Sequence, residues 1–413
     1  MSGPTPPAGP DMARSGAGVQ AHATVPGGWL PRLIAGHVFL HSSMVAMRMA
    51  TPLLALRMGH SAWHVGLLLS LFSVSQVFLS LPAGRYADRH GLQRPVRLAV
   101  LSALVGAALS LLFPVFEVMC ASALCMGAAS GIASVALQRH VGRAARDSAE
   151  LRRVFSWLAI GPAVSNFFGA VAAGLLIDFG ARALPEGLAH PGFRAAFLFA
   201  LCMPLLSAWC IRGVPELAPV APATGAQASA WHLLQSPPMR RLLMVNWLFS
   251  SCWDVHTFVV PVLGHERALS ASVIGTILGG FAVAAIAVRL FIPIAAARVK
   301  EWHALTASMV LAASVFLIYP WMHSAWSMGV CSVVLGVALG AVQPMIMSTL
   351  HQITPHAQHG QAIGLRLTTI NFSSVLMPLL FGSVGAVVGV SVVFWTVGAM
   401  VALGAPSAWR LRV

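Results

Sequence analysis

The sequence predicts an all-α integral membrane protein with twelve transmembrane helices in two pseudo-symmetric six-helix bundles. Three observations predict it. Hydrophobic residues make up 58% of the chain and charged residues only 9%, with a mean hydropathy of +0.80, whereas a soluble domain carries about 25% charged residues. About twelve apolar stretches reach the length of roughly 20 residues that a helix needs to cross a bilayer. Finally, the chain superposes on itself at one constant shift. Arg32 meets Arg241 (241 − 32 = 209), and Pro52 meets Pro261, Ser61 Ser270, Gly66 Gly275, Arg89 Arg298, Gly127 Gly336 and Gly131 Gly340. Leu and Ala matches carry little in so apolar a chain, so the Arg, Pro and Gly pairs carry the repeat. A duplicated helical bundle places a site between its halves and exposes it by rocking them, which points to a transporter.

The expected span cores are 33–56, 63–83, 96–114, 116–138, 155–177, 194–212, 241–263, 271–294, 303–320, 325–349, 362–384 and 388–408. These runs are far too long for barrel strands, and an open sheet cannot satisfy its backbone in lipid. Short turns such as Met58-Gly59-His60 and Pro114-Val115 separate them. The long internal break is 213–239, Pro/Ala-rich, with a short helical piece at Ala228–Gln235 before Ser236-Pro237-Pro238. The expected organisation is therefore a tail (1–28), an N-terminal bundle (29–212), a linker (213–239) that lets two bundles move relative to each other, and a C-terminal bundle (240–413).

A net charge of +14 suggests nucleic acid until its distribution is read. Arginines cluster in alternate loops: Arg85, Arg89, Arg94 and Arg97; Arg139, Arg143, Arg146, Arg152 and Arg153; Arg212, Arg240 and Arg241; Arg298 with Lys300; Arg410 and Arg412. The opposite loops hold only Arg57, Arg182, Arg194 and Arg267. Positive loops stay inside, so both termini and the linker are expected in the cytoplasm. The six cysteines fall in expected spans without metal-ligand spacing or an evident disulfide pair. Residues 1–28 lack a charged start followed by an apolar run and read as a disordered cytoplasmic tail rather than a cleaved signal.

After the second span the chain reads Gly84-Arg85-Tyr86-Ala87-Asp88-Arg89-His90-Gly91-Leu92-Gln93-Arg94. This resembles the signature loop of the major facilitator superfamily, with Gly84, Asp88, Arg89, Gly91 and Arg94 all matching. A degenerate second copy leads from Arg289 and Pro293 to Arg298, and Gln343-Pro344-Met345, Pro355, Gly360, Gly364-Leu365-Arg366 and Pro378 are similar to bacterial members. The resemblance covers the whole chain and implies a twelve-helix secondary transporter. It also implies that Asp88 locks the halves together on the cytoplasmic side, against the start of the eleventh span. By its residues alone, the segment is a tight glycine turn in which an acid pairs with Arg89 or meets a helix end. Two departures matter. The export branch carries Gly-Pro followed by a Gly-Gly pair in its fifth helix, and here Gly161-Pro162 is followed by Ala163-Val164-Ser165-Asn166. The fourth helix also lacks the Arg of many proton-coupled members around Ala123–Gly127.

Ionisable groups inside a bilayer are costly and mark function by default. On the first span His37, His41 and Arg48 stand four and seven residues apart, which places them within an arc of about 40°. The seventh span carries a matching stripe of Asn246, Ser250, Asp254 and Thr257, and the repeat superposes His37, His41 and Arg48 on Asn246, Ser250 and Thr257. In this fold the two helices face each other across a cavity, so both stripes are expected to line it. Asp254 is the acid deepest in a span, since Glu117 and Asp178 sit near helix ends. It is expected to bind the proton or a cationic cargo, with Arg48 and His256 as coupling partners; a static helix-bridging bond is the alternative. His37 and His41 read either as proton relays or as packed residues of the bundle. Gln343 and Ser134 are register equivalents expected to face the cavity. Arg366 pairs with the signature loop or snorkels to headgroups. The Gly127/Gly131 and Gly336/Gly340 pairs permit close helix packing. Met44, Met47, Trp247, Phe249, Trp253 and Phe258 offer an adaptable apolar pocket or face lipid.

No catalytic triad spacing, phosphate-cradling loop or nucleotide motif is legible, so no enzyme activity, cofactor or metal is expected, and transport must run on an ion gradient or downhill. The expected function is proton-coupled export, across the bacterial inner membrane, of a small amphipathic compound such as a drug-like molecule or a siderophore-like metabolite. The alternatives are proton symport of an organic anion, served by Arg48 and the histidines, and a membrane sensor that does not transport. The expected partners are a small-molecule substrate, the proton and the lipid bilayer, without nucleic acid, for a monomeric chain.

Overall fold

The computed structural model describes residues 28–144, 148–183, 187–216, 230–295, 300–354 and 359–411. The tail, the middle of the linker, Arg146, Arg298, Pro355 and Arg412 lie outside the described residues, as does the side chain of Asp88. The helices are α1 (Trp29–Arg57), α2 (Ala62–His90), α3 (Gln93–Leu112), α4 (Phe116–Ala144), α5 (Ser148–Phe179) and α6 (Pro191–Ile211) in the first half. The second half has α7 (Pro237–Glu266), α8 (Ala271–Ala295), α9 (Glu301–Ile318), α10 (Ala325–Gly340), α11 (Val342–Ile353), α12 (His359–Val388) and α13 (Val390–Trp409). A short 3-10 turn, Ala230–Gln235, precedes α7.

Helices α10 and α11 are one span with a break, and its cause is Pro344. Proline has no N–H to give the carbonyl four residues back, which here is that of Gly340; Arg289 Nε donates to that carbonyl instead, at 3.4 Å. Pro204 in α6 frees the carbonyl of Ala200 in the same way, and the Ser43 hydroxyl of α1 takes it at 2.6 Å. Among the described residues, eleven spans are long and apolar enough to cross a membrane. The twelfth, α7, falls short because Asn246, Asp254 and His256 occupy its middle. The least apolar helix is thus the one that carries the buried acid.

The repeat extends to individual contacts. Within the halves, α2 packs on α4 and α8 on α10. A methyl on Gly127 would collide with the Phe72 carbonyl, and one on Gly336 with that of Phe281, residues related by the same shift (281 − 72 = 209). Between the halves, α2 packs on α12 and α5 on α8. Gly66 lets α2 close on the Pro378 carbonyl of α12, and Gly275 lets α8 close on Ala170 of α5. These tight contacts all lie toward the face opposite the termini. On that face Asp178, near the end of α5, accepts from the backbone N–H groups of Ala271 at 3.1 Å and Ser272 at 2.6 Å, at the start of α8. Toward the termini, Phe78 of α2 and Leu367 of α12, level with each other in the antiparallel register, are 74% and 40% exposed. Leu290 and Phe291 of α8 are exposed as well. The halves are therefore tied together on the face opposite the chain ends.

The signature segment departs from the turn expected at Gly84–Arg94. Helix α2 continues through Asp88 and Arg89 to His90, and Gly91, at φ 73°, ends it. The turn is only Gly91-Leu92, because the run before it lacks another helix breaker.

Candidate functional site

Below the closure, α1, α2, α5, α7 and α8 line a small cavity of about 60 Å³. Its wall comprises Val45, Arg48 and Met49 of α1, Leu69 of α2, Asn166 and Ala170 of α5, Trp253, Thr257 and Pro261 of α7, and Leu278 and Phe281 of α8. Arg48 lies nine residues before the end of α1, about 14 Å along the helix. The cavity thus occupies the middle of the membrane layer, on the closed side. The repeated prolines act here: Pro52 deprives the Arg48 carbonyl of its helical donor, and Pro261 does the same to Thr257. Each cavity helix therefore misses one rung beside the site, at a point where helices bend.

Asp254 is buried at the seam of α7 and α12. Its carboxylate accepts from the hydroxyls of Ser373 at 3.0 Å and Ser374 at 3.1 Å. Ser251 reaches Ser373 at 3.4 Å and extends the chain of hydroxyls. Arg48 is half-buried. It lies close enough to attract the Asp254 charge, yet among the described residues it makes neither an ion pair nor a hydrogen bond. Arg48 of the first half and Asp254 of the second thus carry opposite charges that do not join. Thr257 spends its hydroxyl proton on its own helix, on the carbonyls of Trp253 and Asp254. The Trp253 ring stands edge-on to Phe281, with centroids 4.6 Å apart.

The remaining expected site residues scatter. His37 is buried against Gly161 of α5, its ring 5.9 Å from that of His41. Neither histidine lines the cavity, and the Nδ1 atoms of both are buried without a hydrogen bond among the described residues. His256 points into the second half, stacked on Phe281 at 4.4 Å and bonded through Nε2 to Ser332 at 2.9 Å. Two residues from Asp254, it lies about 200° around the helix. Asn246 accepts from Arg366 Nε at 3.1 Å. Arg366 is therefore buried on α7, neither paired with the signature segment nor snorkelling. Ser250 is half-buried and makes no hydrogen bond among the described residues. Gln343 is exposed and accepts from Arg289 at 3.3 Å beside the α10–α11 break. Of the two expected stripes, only Arg48 and Thr257 reach the cavity wall, with Asp254 behind it.

In the signature segment Gly84 faces Val135 of α4, while Arg85, Arg89 and Arg94 are exposed. The expected lock at Asp88 rests on a side chain outside the described ones. A different tie is present. Glu216, just past α6, accepts from the backbone N–H of Leu92 at 2.5 Å and of Gln93 at 3.2 Å. The Gln93 side chain donates to the carbonyls of Ile211 and Val214 at 2.9 and 3.1 Å. A side chain at Gly91 would occupy the place of the Glu216 carboxylate. Sequence reasoning missed Ser373, Ser374, Asn166 and Glu216 as partners, and treated Asp178 only as a helix-end residue. Only the acids carried a signal, as charges beside an apolar run. Among the described residues no group of His, Cys, Asp and Glu is arranged to hold a metal ion.

A duplicated set of membrane helices with a polar cavity beneath an inter-half closure defines the secondary-transporter class. The Major Facilitator Superfamily profile matches residues 33–267 and 242–413, and the chain belongs to that superfamily. Solved structures share the fold. A bacterial homologue of the human lysosomal transporter Spinster, inward-facing and occupied, matches with a TM-score of 0.77 at 11% identity, covering 92% of this chain and 96% of that one. A POT family transporter in complex with a thioalcohol-conjugated peptide matches at 0.72 and 14% identity, over 91% and 94%. The nucleoside transporter NupG matches at 0.69 and 12%, over 93% and 100%. Among curated proteins no relative matches the chain.

Proposed function

We propose that this protein is a proton-coupled secondary transporter of the bacterial inner membrane. It moves a small amphipathic organic compound through the Arg48 cavity by alternating access, with both chain ends in the cytoplasm. The observation that carries this reading is the unjoined pair of Arg48 and Asp254. A membrane protein keeps charges in its interior where they bind or relay ions, and this pair straddles the two halves that must rock. Asp254 is the proton site in this reading: it is the buried acid of α7, held by the Ser373 and Ser374 hydroxyls of α12. Met49, Leu69, Leu278, Phe281 and Trp253 supply the apolar surface for the body of the cargo. With the ends in the cytoplasm, closure of the opposite face by Asp178 and the glycine contacts is read as an inward-facing state. Export of a drug-like compound or secreted metabolite is the direction favoured by Gly161-Pro162. Proton symport of an organic anion is the second reading, and the free guanidinium of Arg48 favours it.

The test is proton movement in everted membrane vesicles, followed with a pH-sensitive dye against a panel of cationic, neutral and anionic compounds, with Asp254→Asn alongside. The expected result is compound-triggered proton movement that disappears in the variant. Unchanged coupled flux in Asp254→Asn, or cargo flux without protons, overturns the reading. Any substrate flux excludes a sensor that does not transport.

A further inference from the structure

We infer that the cargo carries an anionic group, a carboxylate or a phosphoryl-type oxyanion, that docks on Arg48, and that this anion and the Asp254 proton cross the membrane together. The inference rests on the second reading above, proton symport of an organic anion with Asp254 as the proton site; it deepens that reading by placing the anion on Arg48, and it runs against export.

The first ground is the unmatched supply of donors. A guanidinium has five N–H donors and cannot be deprotonated. In the cavity wall Arg48 has no acceptor among the described residues, and the Asn166 amide and the Trp253 indole N–H have none either. Thr257 has already spent its proton. Arg48 thus lines the cavity with no acceptor bonded to it among the described residues. Asp254 does not fill that role, because Ser373 and Ser374 hold its carboxylate on the α12 side. An oxyanion presented by the cargo fits two N–H groups of the guanidinium side by side, and Val45, Met49, Leu69, Leu278 and Phe281 then cover an apolar body.

The second ground is the charge count. Within reach of Arg48, α7 contributes Asp254 and α1 contributes the neighbouring His41, itself next to His37. The other cavity helices present only uncharged residues: Leu69 from α2, Asn166 and Ala170 from α5, Leu278 and Phe281 from α8. On α12, Arg366 is turned to Asn246, two turns of α7 away from Asp254. With Asp254 ionised, the Arg48–Asp254 pair is neutral. Adding an anion alone leaves one net negative charge, and adding a proton alone leaves one net positive charge. Adding both restores neutrality. Charge is far costlier in a closed, low-dielectric cavity than in water. The two neutral states, empty and doubly loaded, therefore close and turn over, and the singly loaded states stall. Proton and anion promote each other's binding. The cycle is one-for-one, electroneutral symport, and an inward proton gradient drives the anion inward.

The test is binding to the purified protein in detergent, read by thermal shift and by Trp fluorescence. The panel holds aromatic and aliphatic carboxylates and phosphates at up to tens of millimolar, each paired with its neutral amide or ester and with a matching amine. The expected hits are anions whose affinity falls as pH rises. Arg48→Gln should bind them roughly 10- to 100-fold more weakly, the order of a hydrogen bond to a charged group. Arg48→Lys, which keeps the charge, should retain part of the binding and controls for folding. Asp254→Asn, a mimic of the protonated acid, should bind the anions with no such pH dependence. A panel with no anionic hit overturns the inference, as do hits that are neutral or cationic and indifferent to Arg48→Gln. Compound-triggered proton movement that depends on Asp254 but is driven by a cation would sink the inference and leave proton coupling standing.

Discussion

Replacing Asp178 with alanine should shift the protein away from the state closed on the face opposite its chain ends. Both carboxylate oxygens of Asp178 are engaged, one on the Ala271 N–H at 3.1 Å and one on the Ser272 N–H at 2.6 Å, across the seam between the halves. The acceptor is charged and the donors are the free N–H groups that open α8, where the helix dipole is positive. When the outer face opens, all of these groups regain water, so the net contribution is far below the sum of two charged hydrogen bonds. A coupling of ~1–3 kcal/mol remains, equivalent to a 5- to 150-fold change in the ratio of the two states. The repeat provides no second tie. The position equivalent to Asp178 is Val387 (178 + 209 = 387), which is 85% exposed near the end of α12. Spin labels at Tyr86 of α2 and Phe291 of α8, both exposed toward the face of the chain ends, would read the opening by electron–electron distance measurements in a background without the six native cysteines. In Asp178→Ala the short-distance population should grow at the expense of the long one. Asp178→Asn, which keeps one acceptor, should fall between. Identical distance distributions in all three proteins would refute the clasp.

Three further outcomes follow from the same structure. Asn246→Leu should strand the buried Arg366 guanidinium and lower stability by ~1.5–3 kcal/mol, seen as a lower Tm in detergent, and Asn246→Leu combined with Arg366→Met should recover much of the loss. Gly91→Ala places a methyl where the Glu216 carboxylate sits, at a φ of 73° that favours glycine; it should destabilise by ~1–3 kcal/mol, and Glu216→Ala should be milder in the same assay. His256→Phe should leave proton coupling intact, because His256 packs on Phe281 and Ser332 inside the second half; loss of coupling at unchanged Tm would return His256 to the site.

The helices were legible because a bilayer imposes both length and polarity on each span, and the cores expected at 33–56 and 271–294, for example, fall within α1 and α8. Two features escaped. The charged run Arg85–His90 reads as a loop by hydropathy, yet it is helical, since charge alone does not break a helix at an aqueous end. The break at Gly340 needed the register of Pro344 against the carbonyl four residues back, which hydropathy ignores. At the site, Arg48 and Asp254 stood out as charges in apolar helices. Their surroundings did not. Ser373, Ser374 and Asn166 are uncharged polar residues that occur in any span, and only tertiary packing brings α12 and α5 to them. The histidine stripe was a true helical face on which His37 turned out to meet α5 rather than the cavity, because periodicity tells which residues share a face and not which neighbour that face meets.

The account centres on a cavity at Arg48 and Thr257 that is exposed first to one face and then to the other. A single cysteine at Thr257, in a background without the native six, reports this directly when membrane-impermeant maleimide is applied from either side of oriented vesicles. The account predicts labelling mainly from the face of the chain termini at rest, with labelling from the opposite face rising several-fold in Asp178→Ala. Labelling from one face only, unchanged by Asp178→Ala, would contradict it.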